Sequence, residues 1–244
     1  MNTLADRFEQ DPHMRQTHPN QRPRDAATLI LLDRSGPTPK VLMGKRHHGH
    51  VFLPGKFVFP GGRVDPADRL MPVAAPLEPK TEERLMRHMS RPTAEKVRAF
   101  ALTAIRETFE ETGLLIGRKC PDVPRTPPGP WTEFAKAGVA PDLSSMHFIA
   151  RAITPPRRPR RYDTRFFTAD VSAIAHRIDG AVGPKAELVE LVWMPIEETH
   201  KLDLIAITQL VLRDLQAQID AGFSHDQPVP FYRMLHGKRS RELL

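Results

Sequence analysis

Three carboxylates stand at helical spacing in Arg106-Glu107-Thr108-Phe109-Glu110-Glu111-Thr112-Gly113. At about 100° per residue, Glu107, Glu110 and Glu111 fall within roughly a quarter of a helix circumference, and Val97, Ala101, Ala104, Ile105, Thr108 and Phe109 collect on the other side. One face is suited to packing and the other to carrying charge. Neighbouring carboxylates repel one another unless a cation lies between them, and their hard oxygens suit a divalent ion such as Mg2+ or Mn2+. The competing reading is an ordinary charged helix face paired with Arg106 and Lys96. Gly113 reads as the left-handed residue that ends the helix.

A second stretch, Pro54-Gly55-Lys56-Phe57-Val58-Phe59-Pro60-Gly61-Gly62-Arg63, belongs to a short aromatic strand that begins near Phe52 and runs into paired glycines. Without side chains, Gly61 and Gly62 let the backbone approach a metal or a phosphate closely, although on its own such a tripeptide is usually a turn. The elements that must position both stretches are read from hydrophobic pattern. Ala26 to Leu32 and Lys40 to His47 read as strands, Thr81 to Met89 as a short helix, and Thr93 as the N-cap of the carboxylate helix. Residues 118–142 are punctuated by prolines and read as connecting structure with a helical turn from Trp131 to Ala137. Met146 to Ile153 and Thr164 to Val171 read as a hairpin with Phe166 and Phe167 on opposite faces. Leu188 to Met194 reads as a further strand, and about Ile196 to Ala221 as one long helix. From Ser224 onward the chain reads as a late strand or a dimer-forming extension.

Composition narrows the class. The 244 residues are 40% hydrophobic, enough for a real core. A single cysteine, Cys120, excludes an internal disulfide framework and a cysteine-built zinc cage. No apolar run is long enough to span a bilayer, and the polar N-terminus is unlike a secretory signal, so the expectation is a soluble, cytoplasmic protein without a membrane partner. The 36 basic and 29 acidic side chains give a net charge of +7, which favours anionic partners. Arg157, Arg158, Arg160, Arg161 and Arg165 concentrate that charge, either as a phosphate-binding cluster or as a solvated loop. His47, His48 and His50 suggest a transition metal, but strand alternation separates neighbours and favours solvent or phosphate contact.

The carboxylate stretch and the glycine stretch together resemble the signature of the Nudix hydrolases: Gly, five residues, Glu, seven residues, then Arg-Glu-apolar-any-Glu-Glu-any-Gly-apolar. Gly62 matches its start and Arg106 to Leu114 its end, with Thr108 where an aliphatic residue is usual. The two halves are separated by an insertion of about 30 residues, placed here at about 66–93. Asp68 is the sixth residue after Gly62, so the signature's first glutamate has no clear counterpart. The long insertion, Pro54 to Gly62 and the segment Arg161 to Phe167 resemble the branch that includes the peroxisomal-type coenzyme A diphosphatases.

That resemblance implies an α/β fold, a Nudix-type α/β/α sandwich around a mixed β-sheet, spanning residues 25–222 between a flexible arm at 1–24 and an extension at 223–244. It implies Mg2+ or Mn2+ held by Glu107, Glu110, Glu111 and the Gly62 carbonyl, with Glu107 a ligand or general base. Arg106, four residues before Glu110, would orient that carboxylate. Glu187, or else Glu190, would add an acid from the mouth of a late strand. Arg46, Arg63, Arg158, Arg161 and Arg165 are the expected substrate contacts. The partner would be a phosphorylated small molecule, a nucleoside diphosphate derivative such as coenzyme A or acyl-coenzyme A. ADP-ribose or a nucleotide sugar, or a silent nucleotide- or RNA-binding module, are the alternatives. A nucleic-acid partner is not expected, and a homodimer is allowed by family analogy.

Overall fold

The computed structural model describes residues 18–50 and 53–244; the first 17 residues of the expected arm, and Phe52, lie outside the described residues. The regular elements follow in the order β1 (Arg24–Asp33), β2 (Lys40–Arg46), β3 (Phe57–Val58), β4 (Gly61–Arg63), α1 (Pro79–Met86) and α2 (Ala94–Thr112). Then come β5 (Leu114–Ile116), β6 (Arg118–Lys119), α3 (Trp131–Lys136), β7 (Val139–Ala140), β8 (His147–Ile153), β9 (Tyr162–Asp170), β10 (Ile174–Arg177) and β11 (Leu188–Pro195). α4 (Ala206–Asp220), β12 (Pro230–Leu235) and β13 (Lys238–Leu243) complete the chain.

A nine-stranded mixed sheet runs β11-β2-β1-β9-β8-β12-β13, with β3 beside β2 and β4 beside β1. The β1–β9 and β8–β12 pairs are parallel and the rest antiparallel. Central β1 is apolar on both faces because both are covered: Ala27, Leu29 and Leu31 join the core under α2, and Ile30 and Leu32 join the core under α4. Phe167 and Phe166 divide between the same two cores. Val97, Phe100, Ala101 and Ile105 of α2 close one face of the sheet, and Val211, Leu212 and Leu215 of α4 close the other. The architecture is an α/β/α sandwich around a mixed sheet. Among the described residues no helix is long and apolar enough to cross a membrane.

One irregularity of the sheet creates the site. β1 and β2 share only the register pairs Leu32–Val41 and Asp33–Lys40 and then diverge. The glycine segment fills the opening, β3 pairing with Gly44 and Lys45 and β4 with Ala26 to Thr28. Paired glycines that suggest a turn are therefore held as strand under the C-terminal half of α2. α2 itself begins at Thr93, whose side chain caps Lys96 N, and ends at Gly113 with φ 76°. Two buried threonines on α2, Thr108 and Thr112, return their hydroxyls to carbonyls four residues back. A hydroxyl at position 108 thus needs no further partner inside the core.

The long helix expected from Ile196 splits. Ile196–Lys201 is a 3-10 turn and α4 starts only at Ala206. The extended link between them is held by the sheet: the Phe57 amide donates to the Asp203 carbonyl at 3.1 Å, and Lys56 pairs with Asp203 at 2.6 Å. Leu202 and Leu204 still pack in the core under α4, so the apolar stripe is real although the helix is shorter.

Candidate active site

Arg106 is the hub. It is 7% exposed, and its guanidinium uses all five N–H groups. Nε donates to Asp68 Oδ1 at 2.8 Å and NH2 to Asp68 Oδ2 at 3.1 Å and to the Arg63 carbonyl at 2.9 Å. NH1 donates to Glu107 Oε1 at 2.8 Å and to Glu110 Oε2 at 2.5 Å. One rigid fork therefore fixes two of the helix carboxylates and the glycine strand beneath them. Burial alone would lower the pKa of Arg106, but Asp68, Glu107 and Glu110 outweigh it and hold the guanidinium charged.

Asp68, on a 3-10 turn at Pro66–Leu70, is fully buried, and Thr103 Oγ1 and the Asp65 amide donate to it at 2.7 and 3.0 Å. The residue six positions after Gly62 is thus held against the signature arginine although the chain between them carries a long insertion. Its spacing was the only signal in the sequence, and an aspartate in place of glutamate hid it.

Glu107 is 17% and Glu110 39% exposed along their side chains, and Glu111 is buried at 5%. Burial raises the pKa of Glu107, Arg106 opposes it, and Glu110 and Asp68 add to the rise. Burial lifts Glu111 well above the usual carboxylate range, with Glu187 adding to it and Arg46 and the Gly61 backbone pulling it back. Glu111 Oε2 is buried without a hydrogen-bond partner. Gly62 lies so close to Glu107 that any Cβ there would overlap the carboxylate.

The mouth of the site is closed by Arg46, which is 8% exposed and donates to Glu187 Oε1 at 2.6 Å and meets His50 Nδ1 at 2.8 Å. Glu187 lies beside Glu111, whereas Glu190 is an exposed strand residue opposite Lys45. Arg63 is exposed on β4, next to the carbonyl that Arg106 holds. The structure therefore brings Glu107, Glu110, Glu111, Arg106, Gly62, Glu187, Arg46 and Arg63 to one region.

The arginines of the β8–β9 connection are engaged otherwise. Arg165 is 2% exposed, pairs with Asp25 at 2.9 Å and Asp163 at 3.3 Å, and stacks its guanidinium 3.8 Å from the centre of the Phe100 ring. Arg158 is buried at 3%. Arg161 donates to the carbonyls of Thr154 and Gln21 and to Asn20 Oδ1, tying the segment before β1 to the loop that enters β9. Local charge density announces these side chains as a ligand cluster; packing buries Arg165 on β9 and Arg158 in the loop, while Arg161 is half-buried and Arg157 and Arg160 are exposed.

Among the described residues no three His, Cys, Asp or Glu side chains are gathered into a ready metal cage, since Arg106 holds Glu107 and Glu110 and Arg46 holds Glu187. The donor chemistry nevertheless fits a hard divalent cation: all-oxygen ligands, an unpartnered buried Glu111 Oε2, and a glycine backbone pressed against Glu107.

No protein-family model matches the chain. It is 29% identical over 156 residues to nudix hydrolase 7 of Caenorhabditis elegans, covering 59% of this chain and 43% of that protein. It is 28% identical over 194 residues to the acyl-coenzyme A diphosphatase NUDT19 of Homo sapiens, covering 59% and 48%. The chain spans about half the length of these curated relatives. A crystal structure of a NUDIX hydrolase from Alicyclobacillus acidocaldarius matches with a TM-score of 0.60 at 28% identity, covering 81% of this chain and 92% of that one. The split signature, the sandwich that reunites its halves and these relatives show a chain similar to Nudix hydrolases in both sequence and fold.

Proposed function

We propose that the protein is a Mg2+- or Mn2+-dependent hydrolase that cleaves the diphosphate of a nucleoside diphosphate derivative, with coenzyme A or an acyl-coenzyme A as the first substrate to try. The observation that carries the reading is the carboxylate face of α2, oriented by one fully bonded Arg106 against the glycine strand. Glu107, Glu110 and Glu111, with the Gly62 carbonyl, would hold the cation. Once bound, it would offset the diphosphate charge, favour ionisation of the attacking water and stabilise the leaving oxygen. Water adds to one phosphorus, the bridging P–O bond breaks, and two phosphate monoesters result.

The residues share that task by their surroundings. Glu107 would serve as a cation ligand or as the base that accepts the water's proton. Arg106 keeps Glu107 and Glu110 turned toward the glycine strand. Glu187 adds negative charge beside Glu111, and Arg46, which pairs with Glu187, and Arg63 on the glycine strand would meet the substrate phosphates. The coenzyme A assignment rests on the similarity to the human acyl-coenzyme A diphosphatase.

The test is turnover of coenzyme A, acetyl-coenzyme A, dephospho-coenzyme A, ADP-ribose and a nucleotide sugar with Mg2+, Mn2+ or chelator. Metal-dependent release of 3′,5′-ADP from coenzyme A is expected, and Glu110→Gln should weaken metal binding by at least roughly tenfold and remove most turnover. Unchanged turnover in that variant would refute the assignment of the site. Turnover of ADP-ribose alone would keep the site and move the substrate.

A further inference from the structure

The proline-punctuated segment between β6 and β7 looks like plain connection, yet it places an aromatic pair against the back of the signature helix. Trp131 opens α3, is fully buried, and donates its indole N–H to Asp68 Oδ1 at 3.2 Å. Phe134, one turn later, lies 5.0 Å from the Trp131 ring and 5.6 Å, edge to face, from Phe109 of α2. Phe109 stands between Thr108 and Glu110. α3 therefore reaches the carboxylate helix by two routes, a polar one through Asp68 and an apolar one through Phe109.

The polar route matters because Asp68 Oδ1 also receives Arg106 Nε. A buried carboxylate keeps a single orientation only while all its donors agree. Thr103, the Asp65 amide and Arg106 NH2 hold Oδ2, and Oδ1 takes Arg106 Nε and Trp131. Without the indole, nothing except the group being positioned would fix that oxygen. The paired Asp68 and Arg106 would then lose a constraint at Oδ1 that comes from outside the pair, and Glu107 and Glu110, which hang on NH1, would be held less firmly.

We propose that Trp131 is a positioning residue of the active site, acting through Asp68 and Arg106 to set the carboxylates of α2. The assignment rests on the metal-dependent reading given above, and its effect falls on cation affinity and on kcat, not on substrate affinity. Trp131→Phe keeps a ring against Phe134, deletes the donor and leaves a small cavity. Benzothienylalanine at position 131, which keeps the bicyclic shape and replaces the N–H by sulfur, does the same without opening a cavity. Phe134→Leu disturbs the packing and leaves the donor in place.

With the Trp131 substitutions, Mn2+ affinity measured by calorimetry should fall roughly three- to tenfold, at or below what outer partners of metal ligands usually carry. kcat should fall with it, and KM for the diphosphate substrate should stay unchanged. Phe134→Leu should lower the unfolding temperature and leave Mn2+ affinity within about twofold, because it removes no hydrogen bond to Asp68. A folded Trp131→Phe protein with wild-type Mn2+ affinity, or a Phe134→Leu protein with the same loss of affinity, would overturn the proposal. If the wild type takes up no Mn2+, the metal-hydrolase reading fails first. The positioning role is then decided in the cation-free protein, where the Arg106 Nε–H resonance should move in Trp131→Phe and stay in Phe134→Leu; an unmoved resonance in the former refutes it.

Discussion

A methyl group on Gly62 would occupy the space of the Glu107 carboxylate, whereas one on Gly61 would run into the Ala27 carbonyl and the Thr28 side chain. The two neighbouring glycines thus serve different ends. Glu107 is the tip of a flexible side chain and can swing away, so Gly62→Ala should fold with an unfolding temperature within roughly 2–4 °C of wild type. Its Mn2+ affinity and turnover should fall by roughly tenfold or more, because the displaced carboxylate is a proposed ligand. Gly61→Ala meets backbone that cannot move and should lose stability instead. Calorimetric Mn2+ titration and thermal unfolding of both variants check this, and equal behaviour of the two would defeat it. Glu107, Glu110, Glu111 and Gly62 are legible in the sequence because their message is local, a residue type at a helical or turn spacing. Asp68 is less so, since its partner Arg106 lies beyond the insertion and only the fold closes the distance. Arg165 shows the opposite failure: its charge is plain, but that Phe100, Asp25 and Asp163 enclose it is a matter of packing.

Among the elements, α2 was legible from end to end, because cap, periodicity and left-handed glycine all agree. α1 was legible as a helix, but not as a strap. Its Arg84 donates to the carbonyls of His225 and Asp226, Lys80 pairs with Asp226, and Thr81 Oγ1 meets His225 Nδ1 at 3.0 Å. His225 in turn stacks on His147 of β8, centroids 3.7 Å apart and 12° between planes, and His147 also lies 4.3 Å from Phe223. Burial, then the charges of His225 and Arg34, push His147 down from 6.5 to about 4. Burial also lowers His225, against the pull of Glu78 and Asp226. Both rings are held neutral in the fold, so the unfolded chain takes up protons first as the pH falls. The stability this junction contributes is complete above about pH 6.5 and is lost on acidification toward pH 4. Thermal unfolding between pH 7 and 4.5 should show a drop that is smaller by roughly 2–4 °C in His147→Gln. Parallel curves for the two proteins would show that the stacked pair is not the titrating element.

At the scale of the molecule, residues 223–244 do not hang from the sandwich but complete it. β12 lies parallel to β8, pairing Phe231 with Arg151 and Tyr232 with Ala152, and β13 closes the edge. Val229, Phe231 and Leu244 are 1%, 0% and 5% exposed and belong to the core under α2. The Arg151 guanidinium stacks 4.5 Å from the Phe231 ring centre, binds Asp163 through two hydrogen bonds of 2.7 and 2.8 Å, and donates to the Arg87 carbonyl at the end of α1. From Ser224 onward the sequence reads as a late strand or a dimer-forming extension, since whether such a segment pairs with its own sheet or with another molecule depends on an open edge that no local pattern records. Here the tail and the insertion within the signature are bonded to each other, and the insertion begins with the turn that carries Asp68. Ending the chain at Gly222 would expose the edge of β8 and remove three core side chains. At about 1.5–3 kcal/mol for each large apolar side chain, that loss is comparable with the ~5–15 kcal/mol that holds a typical domain together. The shortened protein should therefore lose cooperative unfolding and aggregate, and α1 should lose protection against amide exchange. A soluble 1–222 chain with a sharp thermal transition and wild-type Mn2+ affinity would mean that the sandwich, and Asp68 with it, stands without its last two strands.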